Sequence, residues 1–238
     1  MGLGFRSKIP LIIISIFLLW QSSKVWRSFT QEKTNTEAQF QDDQAITLSQ
    51  KDEHKEQKVH IEVYYEALCP DSRSFFIKQL LPTYHKIPDN LEVELIPYGK
   101  ATTMKTDHGY KFTCQHGHIE CNANIIHACS IDVLKNSSSQ LEYISCMIKN
   151  NLEPINIMEI CARKMKIDIK PILKCFIEEK GKELLAKYGE KTNSLKPRVS
   201  FIPTITIDGN SDYQARILKN LLQEVCLHLK VLPEACKL

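Results

Sequence analysis

Nine cysteines in 238 residues constrain this chain more than any other feature. At that density thiols pair or do chemistry, and pairing needs an oxidising compartment. Nine is odd, so eight can pair and one is left over. Eight cysteines allow about a hundred connectivities, and their spacing selects none of them. The rest of the composition is ordinary, with 43% hydrophobic and 25% charged residues. That excludes a wholly disordered chain, a fibrous repeat and a multi-span membrane protein. The net charge is only +3, and no Lys/Arg stripe appears, so no nucleic-acid partner is expected.

The amino terminus fits the oxidising compartment. Arg6 and Lys8 precede an apolar run from Ile9 to Trp20. A basic segment followed by such a run is the layout of a secretory signal. The run is shorter than the roughly 20 residues that a membrane span needs. Residues 1–23 are therefore predicted to be a signal peptide, or a signal anchor if uncleaved; only an anchor would make a membrane a partner. Residues 24–58 are rich in Gln, Lys, Glu, Asp and Thr and read as a polar linker or pro-segment. The folded domain is predicted over 59–238.

Val59 to Leu68 reads as a buried strand that stops at Cys69-Pro70. Pro70 suits the first turn of a helix, and Phe75, Phe76, Leu80 and Leu81 continue it at helical spacing, with Pro82 placed to kink or end it. Leu91 to Tyr98 reads as a second strand. Cys69 thus opens a helix, where free backbone N–H groups and the macrodipole favour the thiolate, the nucleophile of disulfide exchange. Cys69-Pro70-Asp71-Ser72 has C-x-x-C spacing with Ser in the last place. Ser72 can donate a hydrogen bond to the Cys69 thiolate but cannot make the second attack that releases a mixed disulfide. The local pattern also allows Cys69 to be half of a structural disulfide. Further on, Ile202-Pro203 opens the β-branched stretch Thr204 to Ile207, which ends in an Asp208-Gly209 turn. Thioredoxin-like folds place a cis-proline at such a point beside the reactive cysteine, so Ile202 and Pro203 are expected to bind substrate; a plain trans-proline is the alternative. A final helix is predicted from about Tyr213 to Leu229.

Residues 114–129 read CQHGHIECNANIIHAC. Cys114, Gln115, His116, Gly117, Glu120, Cys121, Asn124 and Cys129 match C-Q-H-G-x-x-E-C-x-x-N-x-x-x-x-C. This resembles the signature of the gamma-interferon-inducible lysosomal thiol reductase family at every specified position. The stretches YYEALCPDSRSF and FIPTITIDG are similar to that family's active-site and proline regions, and the resemblance runs from Val59 to Cys236. It implies an α/β, thioredoxin-like domain with a disulfide-rich helical insertion at about 110–195. It implies a thiol–disulfide oxidoreductase that reduces protein disulfides at acid pH through Cys69, in the secretory pathway, lysosomal or secreted. The family's best-known members carry two active-site cysteines, and here Ser72 replaces the second. Resolution must then come from an external thiol such as glutathione or cysteine, or from a second thiol on the substrate. The alternative is a secreted, disulfide-rich binding protein on the same fold with little turnover, host defence being one setting.

Cys114, Cys121, Cys129, Cys146, Cys161, Cys175, Cys226 and Cys236 are read as structural disulfide cysteines. Cys114, His116, His118, Cys121 and His127 could also suggest zinc, but no paired C-x-x-C half-sites are present, so no metal and no bound cofactor are expected. Asn136-Ser137-Ser138 is an acceptor sequence for an N-linked glycan. The insertion reads as short helices broken near Asn136, Pro154, Pro171 and Gly189.

Overall fold

The computed structural model describes residues 57–107 and 109–237; the predicted signal at 1–23 and all but the last two residues of the predicted linker at 24–58 lie outside the described residues. Strand β1 (Val59–Tyr65) is buried on one face throughout and on both faces from Val63 onward. It leads into one helical run made of α1 (Pro70–Phe75), a π-helical turn (Phe76–Leu80) and α2 (Leu81–Lys86). Pro82 has no N–H for the i→i−4 ladder, and the turn before it widens to i→i−5, Leu81 N–H bonding Phe76 O. The run therefore passes through Pro82 instead of ending there. Strand β2 (Leu91–Pro97) lies parallel to β1, with Val59 opposite Leu91 and Tyr65 opposite Pro97. A parallel pair needs a crossover, and the helical run supplies it. A hairpin of β3 (Thr102–Thr106) and β4 (Gly109–Thr113) follows. Its first strand is largely exposed, so no apolar alternation marks it in the sequence.

Five helices come next, α3 (His118–Val133), α4 (Ser137–Met147), α5 (Pro154–Met165), α6 (Lys170–Ile177) and α7 (Glu179–Ser194). Helices α3, α4 and α7 pack on β2. Helix α3 is buried nearly all round, so Glu120, Asn124, His127 and Ser130 lie inside with Ile125, Ile126 and Cys129. Buried polar groups need partners; Ser130 Oγ donates back to Ile126 O, and the partners of Glu120, Asn124 and His127 lie on or beside the turn before Cys69. Disulfides tie this layer together. Cys129–Cys175 joins α3 to α6, Cys146–Cys161 joins α4 to α5, and Cys114–Cys121 closes the loop before α3 onto its first turn. Cys226–Cys236 fastens the carboxyl-terminal segment. Each bridge contributes about 2–4 kcal/mol by restricting the unfolded chain.

Strand β5 (Thr204–Ile207) pairs antiparallel with β1, Ile61 opposite Ile207, giving the order β2-β1-β5. Asp208 and Gly209 turn the chain at positive φ, 49° and 79°. The single closing helix expected over 213–229 is instead two, α8 (Gln214–Lys219) and α9 (Leu221–Cys226). Asn220 breaks them, because its side-chain oxygen accepts the Gln223 N–H at 3.3 Å and caps the second helix. Among the described residues no helix is long and apolar enough to cross a membrane.

Gly189 does not break a helix. It sits inside α7, where a Cβ would meet Tyr98 Cε2 at 2.6 Å. The missing side chain lets α7 close on the Tyr98 ring. Alanine is favoured over glycine in a helix by about 0.5–1 kcal/mol, so a net loss would measure the clash. Gly189→Ala should lower unfolding free energy by about 1–3 kcal/mol in urea titration. The exposed neighbour Glu190→Ala should be near neutral. An unchanged or raised midpoint for Gly189→Ala would contradict this packing.

Candidate active site

Cys69 is the N-terminal cap residue of the helical run and the one free cysteine among the described residues. Its carbonyl accepts the Arg73 N–H at 3.0 Å, and its own N–H donates to Glu66 O at 3.3 Å. The residue is only 8% exposed, so a partner must reach it through a shaped opening. Its Sγ lies 3.8 Å from the carbonyl oxygen of Ile202. Ile202–Pro203 is a cis peptide. The fold thus brings together Cys69, Ile202 and Pro203, which are more than 130 residues apart, as the separation of 133 for the Cys69–Ile202 contact shows. Ser72 is fully buried, and its Oγ accepts the Glu66 N–H at 3.4 Å. Among the described residues no hydrogen bond joins Ser72 to Cys69.

Two grooves flank Cys69. One, of about 300 Å³, runs between α1 and the Phe201–Pro203 loop. The other, of about 190 Å³, includes Cys69 and Arg73 and is walled by the 148–152 loop. Phe201 and Leu152 are exposed apolar residues, one on each groove.

The turn between β1 and α1 is held from behind. Ala67 N–H donates to Asn124 Oδ1 at 2.9 Å, and Asn151 Nδ2 donates to Ala67 O at 3.3 Å. Both groups of that residue are thereby satisfied without secondary structure. Asn151 Nδ2 also donates to His127 Nε2 at 2.9 Å. Nε2 is then the bare nitrogen, so Nδ1 carries the proton and donates to Tyr65 Oη at 3.1 Å. Burial drives the His127 pKa down to about 3. Protonating Nε2 would also set N–H against N–H.

A second buried cluster lies beside the first. Glu66 and Glu120 are 1% and 0% exposed. Lys100 N–H donates to Glu66 Oε1 at 2.8 Å, and His116 N–H to Glu120 Oε1 at 3.0 Å. The His116 ring stands between the two carboxylates, 2.6 Å from Glu120 Oε2 and 3.5 Å from Glu66 Oε2. Burial raises the Glu66 pKa, the Glu120 charge adds to that, and the Lys100 N–H and His116 oppose it.

The cysteine–histidine set weighed as zinc ligands is not assembled. Cys114 and Cys121 are bonded to each other, His127 is locked in the neutral network, and His118 is exposed. Asn136 is exposed and caps α4, its Oδ1 accepting the Ser139 N–H at 3.1 Å. Sequence reasoning missed Glu66, His127 and Asn151 as parts of the site. Glu66 and His127 sit in or beside the recognised motifs, yet their partners lie on other elements. Asn151 sits in a loop with no pattern at all.

A lone thiol opening a helix, beside a carbonyl that precedes a cis-proline, on a β2-β1-β5 sheet, defines a thioredoxin-like thiol–disulfide oxidoreductase. Solved structures share this fold at low identity. The DsbA of Chlamydia trachomatis superposes with a TM-score of 0.51 at 12% identity, covering 74% of this chain and 90% of that one. A putative protein disulfide isomerase from Nitrosomonas europaea gives 0.50 at 10% identity, covering 72% and 98%. The family model of gamma interferon inducible lysosomal thiol reductase (GILT) matches residues 60–184. A gamma-interferon-inducible lysosomal thiol reductase-like protein of Anopheles gambiae is 32% identical over 196 residues, 75% of this chain and 80% of that protein. The gamma-interferon-inducible lysosomal thiol reductase of Carassius auratus is 33% identical over 183 residues, 75% and 72% of the two chains. The chain belongs to the gamma interferon inducible lysosomal thiol reductase family. Members of this family need no prosthetic group for their thiol chemistry, and the four disulfides fit an oxidising compartment.

The neutral His127 has a consequence for stability. Its folded pKa lies below the unfolded value of 6.5, so the unfolded chain takes up the extra proton as pH falls. Stability from this group is full above that value and is lost on acidification. Between about pH 7 and about pH 5 the loss is about 2 kcal/mol. His127→Gln should reduce the acid-induced fall in unfolding free energy by about that amount. Equal pH slopes for wild type and variant in denaturant titrations would contradict a neutral buried His127.

Proposed function

We propose that the protein is a monothiol reductase of protein disulfides, with Cys69 as nucleophile and an external thiol as reductant. The observation that carries this is the free Cys69 thiol, at the start of a helical run and 3.8 Å from Ile202 O, while the other eight cysteines are bonded in pairs.

In the first step the Cys69 thiolate attacks one sulfur of the substrate disulfide. That bond breaks, a Cys69–substrate disulfide forms, and the other substrate sulfur leaves as a thiolate that takes a proton. Ile202 and Pro203 present backbone against which the substrate chain lies, and the two grooves receive its flanking side chains. Ser72 donates its hydroxyl proton toward the Cys69 sulfur when that sulfur is charged, but it cannot resolve the mixed disulfide. A thiol such as glutathione or cysteine attacks the Cys69 sulfur and releases the reduced substrate. A second one attacks the resulting adduct and restores Cys69. The net change consumes two thiols and yields one small-molecule disulfide.

The setting is the secretory pathway, with delivery to lysosomes or release from the cell. Residues 1–23 act as signal and 24–58 as linker, the helical insertion at about 110–195 is part of the 59–238 domain, and Asn136 carries a glycan. A glycan is attached through Nδ2, which leaves Oδ1 free for its capping bond. The eight paired cysteines keep the domain folded in a proteolytic lumen.

The assay is reduction of a denatured, disulfide-bonded protein at about pH 5 with glutathione or cysteine supplied. Cys69→Ser should fall to the uncatalysed rate, and Ser72→Cys should release reduced substrate in a single turnover without external thiol, leaving Cys69 bonded to the introduced thiol until two external thiols reduce that bond. Unchanged rates in both variants would reject the proposal in favour of a binding protein.

A further inference from the structure

The Glu66–His116–Glu120 cluster is not used by the thiol chemistry, yet it is built to a pattern. Each carboxylate has one oxygen anchored by a backbone N–H, from Lys100 for Glu66 and from His116 for Glu120. The second oxygens, Glu66 Oε2 and Glu120 Oε2, converge on His116 Nδ1, and the three atoms lie within 4.8 Å of one another. Backbone donors that orient the free oxygen of a carboxylate are what a bound ion requires around it. Glu66 Oε2 is buried and has no hydrogen-bond partner among the described residues, since 3.5 Å to His116 is an ion-pair distance only. Room for Glu66 is kept by Gly99, at φ +63°, where a Cβ would meet Glu66 Cγ at 2.1 Å.

Ionising both of two buried carboxylates that face one imidazole is costly in a dry site without a further positive charge. A divalent ion would supply it. In tetrahedral zinc sites with bonds of about 2.0–2.2 Å, ligand atoms stand about 3.3 Å apart. The separation of 3.5 Å to Glu66 already suits this, and the 2.6 Å pair with Glu120 must open. The His116 side chain is 34% exposed, so it can move and leaves a side open to water.

We propose that Glu66, His116 and Glu120 form a site for one divalent cation of the zinc class. Imidazole and carboxylate donors suit zinc or manganese. The ion is a brace and takes no part in electron transfer. It fastens the Cys114–Cys121 loop to the end of β1. There the Glu66 carbonyl holds the Cys69 N–H and the Glu66 N–H holds Ser72.

The test titrates zinc chloride into the full chain carrying Cys69→Ser, so that no thiolate competes, followed by calorimetry. One equivalent should bind. In that background Glu120→Gln and His116→Ala should each weaken binding at least about tenfold, because each removes one of three ligands. Zinc should raise the melting temperature of the parent and not of the two variants. Cooperative melting without zinc shows that the variants are folded; His116→Ala changes a partly exposed residue and leaves the core intact. Cobalt in place of zinc should give a spectrum without a thiolate charge-transfer band. Absence of zinc binding, equal affinity in both variants, or sulfur ligation in the cobalt spectrum would overturn the site. None of these outcomes bears on Cys69 as nucleophile, so the two proposals fail separately.

Discussion

Two side-chain amides hold the backbone of Ala67, and through it the turn that carries Cys69. The bonds from Ala67 to Asn124 and Asn151 bridge 57 and 84 residues of chain. Without them a strand end and a helix start would meet through a turn with buried, unpaired polar groups, at a cost of roughly 1–3 kcal/mol for each group left bare. With them, Cys69 opens the helical run facing Ile202. Asn124 comes from α3, and Asn151 from the loop after α4. The helical layer between β4 and β5 is thus the back wall of the thiol site as well as a covering for the sheet.

That dependence explains the character of α3. An ordinary covering helix would show a polar outer face, whereas α3 buries Glu120, Asn124 and His127 along with its apolar residues. Each of these polar groups meets a partner on or beside the β1–α1 turn, His116 for Glu120, Ala67 for Asn124, and Tyr65 and Asn151 for His127. Disulfides from Cys121 and Cys129 fix the same helix at its first turn and its middle. The bonded sulfurs supply rigidity, and the single unbonded one is left for chemistry. Neutral His127 makes this design more fragile in acid, and the constraint from four bridges offsets such a loss.

Some of this is legible in the order of the amino acids alone. Strands β1 and β2, the helix that Cys69-Pro70 opens, and the Asp208-Gly209 turn follow from periodicity and turn chemistry. The rest depends on contacts that local pattern does not encode. Gly189 reads as a breaker because its reason for being glycine is the Tyr98 ring on another segment. Apolar spacing runs unbroken through the last helical stretch, but the cap at Asn220 overrides it. The hairpin β3–β4 is hidden because an exposed strand has no apolar face to show. His116, Glu120 and Asn124 are visible as a spacing, while their roles emerge only when Glu66 and Ala67 are brought alongside. Asn151 has no local signal, since its work is done entirely across space.

As proposed, Cys69 attacks disulfides and, with Ser72 in the second position, depends on another thiol for its release. The most direct measurement is intact-protein and peptide mass spectrometry after mixing the protein with a disulfide-bonded substrate and no other thiol. The expected result is a one-to-one mixed disulfide at Cys69 that accumulates and is discharged when glutathione or cysteine is added. Absence of an adduct, or an adduct on any of the eight paired cysteines in place of Cys69, would contradict it.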